Sequence, residues 1–64
     1  MENKVKDFRK AADWTQADLA KRLNVSRQTI VAIEKGKYDP SLPLAFQLAQ
    51  IFDSKIEEMF LFHG

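Results

Sequence analysis

The sequence contains no cysteine, so disulfides and cysteine-ligated zinc or redox centres are excluded, and the core must rest on packing alone. Histidine is nearly absent too: the one imidazole is His63, in the tail. Glu57 and Glu58 are neighbours that diverge on a helix, so they form no paired carboxylates. An enzymatic reading therefore has no residues to rest on, and neither a metal nor a cofactor is expected. No apolar run approaches the roughly 18 residues of a membrane span. The charged N-terminal residues also lack a signal peptide's apolar stretch. A cytoplasmic protein without membrane contact is the expectation. Large net charge is missing as well, the formal value being +1.

What is present is enough apolar residue for one small domain, 1–64, near the lower size at which a chain folds without staples. The charge, though small in sum, is unevenly spread. Residues 1–40 hold nine Lys/Arg against six Asp/Glu, and residues 41–64 hold one against three. Lys21, Arg22, Arg27, Lys35 and Lys37 are opposed between Leu19 and Tyr38 only by Glu34. Such a patch suits phosphates, the plain alternative being a solvated helix surface.

Apolar spacing predicts an all-α chain with helices over about 4–12, 16–23, 27–35, 42–52 and 55–60. Val5, Phe8 and Ala12 share one face of the first, and Asp13 closes it. Thr15 caps the second, with Asp18 three residues on approximating a capping box. Leu19, Ala20 and Leu23 form its inner face, and Asn24 ends it in the left-handed backbone that Asn tolerates. Val25 turns inward and Ser26 caps the third helix. That helix buries Ile30 and Ile33 and turns Arg27, Gln28, Val31 and Lys35 outward, with Thr29 and Ala32 alongside. Arg suits guanine, Gln suits adenine, and Val or Ala methyls suit the thymine methyl. Gly36 ends the helix as a left-handed cap.

Tyr38 has two readings, a core tyrosine or a phosphate ligand. Ser41 caps the fourth helix, with Pro43 in its first turn and Leu44, Leu48, Ile51 and Phe52 as its inner stripe. Ser54 and Glu57 predict a capping box for the fifth. Met59, Phe60, Leu61 and Phe62 are too many consecutive apolar residues for one short helix to bury. Three outcomes are open: an extended strand against the N-terminus, cover by a second copy, or a frayed tail.

Thr15-Gln16 with Leu19-Ala20, the run Val25-Ser26-Arg27-Gln28-Thr29-Ile30, Ile33-Glu34 with Gly36, and Pro40-Ser41-Leu42 together resemble the phage repressor/Cro type of helix-turn-helix. This is the xenobiotic-response-element family, widespread in bacteria and phages, and the likeness spans about residues 4–60. The resemblance implies a compact five-helix repressor-like domain, with a short terminal β-pairing as an option for the tail. It implies base reading by Ser26, Arg27, Gln28 and Ala32, to which the outward face adds Val31. Phosphate contacts are implied for Thr15, Gln16, Thr29, Lys35, Lys37 and Tyr38, and a bridge from Arg9 to Glu34. Departures are Asp13 and Asn24, where many relatives have Gly, and Ala12, where a basic residue is common.

The expected function is sequence-specific binding of double-stranded DNA by a regulator, a repressor acting by steric block. A homodimer on a palindromic operator is expected, with Met59, Phe60, Leu61 and Phe62 as candidate interface and no small-molecule ligand. A rival reading of the same fold is an antitoxin-type module that binds a protein.

Overall fold

Five helices follow one another: α1 (Val5–Ala11), α2 (Gln16–Leu23), α3 (Arg27–Glu34), α4 (Leu42–Ile51) and a single turn, α5 (Ile56–Met59). The computed structural model describes residues 1–62; His63 and Gly64 lie outside the described residues. Each helix falls within a residue or two of its sequence-based range.

Helix starts follow local side-chain chemistry. The Thr15 hydroxyl accepts from the Asp18 N–H at 3.0 Å, and the Asp18 carboxylate accepts from the Thr15 N–H at 2.9 Å, completing the box. Ser26 and Ser41 cap α3 and α4 through the N–H groups of Thr29 and Leu44. The box expected at Ser54 and Glu57 does not form. Lys55 is the N-cap of α5 without a side-chain bond, and the Ser54 hydroxyl donates instead to Glu58 at 3.0 Å. The Ser54 N–H is already held by the Ala49 carbonyl at 2.8 Å, so this residue belongs to the end of α4.

Helix ends share one device. Asp13, Asn24, Gly36 and Asp53 have φ of 61°, 57°, 75° and 51°, and each sits just beyond one of the first four helices. At each of them the next residue's N–H reaches back five residues, as Trp14 to Arg9, Val25 to Ala20, Lys37 to Ala32 and Ser54 to Ala49. These are Schellman turns, which satisfy carbonyls left over in the last turn. The Gly-to-Asp and Gly-to-Asn departures therefore leave the turns intact, because short Asx side chains tolerate this region.

The tail takes the first of its three options. Phe60 pairs antiparallel with Asn3, flanked by bonds from the Lys4 N–H to Met59 O (2.7 Å) and from the Leu61 N–H to Glu2 O (2.9 Å). The core is centred on Val5, Leu19, Ile30, Ile33, Leu48 and Met59, all fully buried and each stabilising the fold by about 2 kcal/mol. Ala20 is buried in the same cluster, on α2, where a larger side chain would push crossing helices apart. Phe52 closes one side, its ring centroid 5.7 Å from Phe8 and 5.4 Å from Trp14.

Candidate nucleic-acid interface

The hinge between α2 and α3 is short because both ends are capped within it. Asn24 turns left-handed, Val25 packs against the core, and Ser26 starts the next helix. The Ser26 and Thr29 hydroxyls also lie 2.8 Å apart. Both are thus engaged with each other and with the cap, so Ser26 holds the helix start besides facing outward.

Burying Ile30 and Ile33 fixes the rotation of α3 and decides what it shows. Arg27 and Gln28 are exposed, Val31 and Ala32 half-buried. Ser26, Gln28, Thr29 and Ala32 line one shallow depression with Tyr38, which is exposed and belongs to the connector after α3. Lys35 and Lys37 are exposed on that connector. Tyr38 is therefore a surface tyrosine and not a core one.

Glu34, the one acid in this stretch, is turned away from the surface. Its side chain is 4% exposed and that of Arg9 is 10% exposed. Arg9 Nε donates to Glu34 Oε2 at 2.7 Å and Nη2 to Oε1 at 3.3 Å, a two-point fork. Arg9 Nη1 holds the Trp14 carbonyl at 2.8 Å, and Gln16 Nε2 donates to Glu34 Oε1 at 3.1 Å. The network ties α1, α2 and α3 together and neutralises Glu34. From Arg27 to Tyr38 the charges left outward are positive, Arg27, Lys35 and Lys37, and the exposed Asp39 that follows is paired with the Met1 amino group at 2.9 Å.

Gln16 and Thr15 sit at the start of α2, but their side chains already have partners in Glu34 and in the Asp18 N–H. Hydrogen bonding from the Thr15 backbone, then from its side chain, holds the Asp18 carboxyl below the ordinary carboxylate range; Arg22 and Lys21 add smaller attraction, and burial opposes. Arg22 lies over the Trp14 ring, 4.1 Å from its centroid, so this cation stacks on an aromatic face.

Two members of the expected tail interface need correction. Met59 and Phe60 are buried within the chain, because the bridge to Asn3 draws the tail onto the core. Of the four, Leu61 is half-buried and Phe62 is 80% exposed. Sequence reasoning missed Leu42 and Phe46, which are 64% and 53% exposed on α4. A signal existed: α4 is apolar nearly all round, and only one stripe of a surface helix can face the core.

Comparison with known proteins places this geometry. A family model described as helix-turn-helix matches residues 5–59. An uncharacterized HTH-type transcriptional regulator of Methanocaldococcus jannaschii is 61% identical over 62 residues, covering 97% of this chain and 94% of that protein. Another, of Archaeoglobus fulgidus, is 52% identical over 97% of this chain and 87% of its own length. The HTH-type regulator YgzD of Bacillus subtilis is 45% identical over 94% and 91%. Two of these three are archaeal, so the bacterial and phage setting of the resemblance is too narrow for the relatives.

Proposed function

The chain belongs to the helix-turn-helix family of Cro/C1 type, and from that premise we propose that it is a transcriptional regulator that reads the major groove of double-stranded DNA with α3. The observation that carries this reading is the single depression joining Ser26, Gln28, Thr29 and Ala32 to Tyr38, beside exposed Arg27. Here Arg27 and Gln28 read base edges, with Val31 and Ala32 offering methyl contacts and Ser26 holding the helix start among them. Lys35, Lys37 and Tyr38 meet the backbone on one side. The free N–H groups at the start of α2 meet it on the other, with Thr15 and Gln16 there and Thr29 on α3. Neutralisation of Glu34 by Arg9 favours this role, since a free carboxylate beside phosphates would repel them.

A single α3 touches few base pairs, and a homodimer on two half-sites about 34 Å apart supplies the rest. The surface we assign to the second copy differs from the tail alone. Met1, Leu42 and Ile56 line one cleft, and Phe46 and Ile56 line the groove beside it. The antiparallel register sets Phe62 opposite Met1. The exposed parts of Phe46 and Phe62 alone amount to on the order of 250 Å² per copy, about a third of one side of a standard interface. The acidic balance of residues 41–64 keeps phosphates off this face. Such a dimer seated over a promoter would repress by steric block.

Selection of bound fragments from random DNA tests the proposal. Enrichment of a palindrome with half-sites one helical turn apart is expected. If no sequence is enriched at low salt, DNA reading by α3 is refuted; a different protein held on the Leu42–Phe46 face would then favour the antitoxin-type module.

A further inference from the structure

We propose that Asn3 is a positioning residue for the reading helix: its side-chain amide fixes the C-terminal end of α3, and with it the corner at residues 35–38. This rests on the DNA-binding reading above and adds to it a residue far from the motif in sequence. Asn3 joins three elements. Its Nδ2 donates to the Ile33 carbonyl at 2.8 Å and to the Met1 carbonyl at 3.2 Å, while Oδ1 accepts from the Val5 N–H at 3.1 Å. Both amide hydrogens and one acceptor position are thereby used. Asn3 also serves α1 as a cap, since the N-cap residue Lys4 makes no side-chain bond.

The arm that carries Asn3 is itself held. Its backbone pairs with the tail at Phe60, and the amino group of Met1 donates to the Gly36 carbonyl at 3.1 Å and to Asp39 at 2.9 Å. A Cβ on Gly36 would stand 3.3 Å from the Met1 carbonyl oxygen, so the arm lies directly against the cap of α3. Schellman turns close the ends of α1, α2, α3 and α4 alike. The end of α3 receives an additional donor from 30 residues away. Lys35 and Lys37 leave the helix at this point, so ordering it before binding removes an ordering cost when they meet phosphates.

The test compares Asn3→Asp with Asn3→Ala on a site selected by the wild type, at a temperature where every variant is fully folded. Asn3→Asp keeps the oxygen for the Val5 N–H but sets a second oxygen against the Ile33 carbonyl. We expect both to weaken specific binding about 5–10-fold, the scale of re-ordering one or two side chains. The log–log salt dependence should flatten by about one phosphate contact. In a cycle with Lys37→Ala the two effects should be less than additive, and in the free protein the Gly36 and Lys37 amides should exchange faster. A merely structural Asn3 would lower Tm and leave affinity and salt slope unchanged at full folding, which overturns the inference. Full additivity with Lys37→Ala overturns it as well. Should Asn3→Asp not fold, Asn3→Ser retains a capping oxygen but is too short to reach Ile33, and the same criteria apply. A wild type that selects no DNA refutes the parent reading and this inference with it; a wild type that binds while the variants match it refutes this inference alone.

Discussion

Replacing Arg9 by methionine should remove a large part of the stability of this domain. The Arg9 and Glu34 side chains are 10% and 4% exposed, and Arg9 makes three hydrogen bonds: two to Glu34 and one to the Trp14 carbonyl. After the change Glu34 keeps only the Gln16 amide at 3.1 Å, which cannot balance a buried negative charge. Breaking a buried pair from one side costs about 3–5 kcal/mol. A domain of this size has only about 3–10 kcal/mol in total. At about 4–8 °C per kcal/mol, Tm should fall by roughly 12–40 °C, read by circular dichroism at neutral pH and moderate salt. The double change Arg9→Met with Glu34→Met removes both charges and keeps the volume. It should return to within about 1–2 kcal/mol of the parent, because a buried pair is nearly isoenergetic with a well-packed apolar pair. A single variant that melts within about 5 °C of the parent would mean water reaches the pair and the reasoning fails. So would a double variant no more stable than the single one.

Arg27→Ala and Gln28→Ala should each cost about 1–3 kcal/mol on the selected site and relax preference at one base, checked by repeating the selection; unchanged preference in both removes them as base readers. Phe46→Glu and Phe62→Glu should each shift the chain toward monomer in sedimentation, since each places a charge in an apolar contact; parental behaviour at all concentrations would take the second copy off this face. For Asp18 the folded-state pKa is depressed, so its stabilisation is complete above the carboxylate range of the unfolded chain and is lost as pH falls through the lower folded value. Asp18→Asn should therefore melt below the parent at neutral pH and converge with it in acid; a gap that persists in acid contradicts that linkage.

The motif residues were legible because their chemistry is local. Thr15 with Asp18, Ser26 with Thr29 and Ser41 with Leu44 are bonds across three residues, so spacing alone predicts them. The same local reasoning fails at Ser54, where the start of α5 competes with the end of α4 and the Schellman bond to Ala49 wins. On α4 helical spacing does select the inner stripe, since Leu44, Leu48, Ile51 and Phe52 all lie on the core, but it gives no reason for the apolar Leu42 and Phe46 left exposed on the other side.

The amino-acid sequence by itself determined five helices, the caps of α2, α3 and α4, and an α3 that buries isoleucines while facing Arg27 and Gln28 outward, because those follow from periodicity and short-range hydrogen bonds. Tertiary structure decided which tail residues are spent inside and what holds the end of α3, while the Arg9–Glu34 bridge was legible only through the family resemblance and not from local spacing. Arg9 meets Glu34 across 25 residues and Asn3 meets Ile33 across 30, and no local pattern carries such distances. They exist only once the core has brought α1 and the tail against the reading helix.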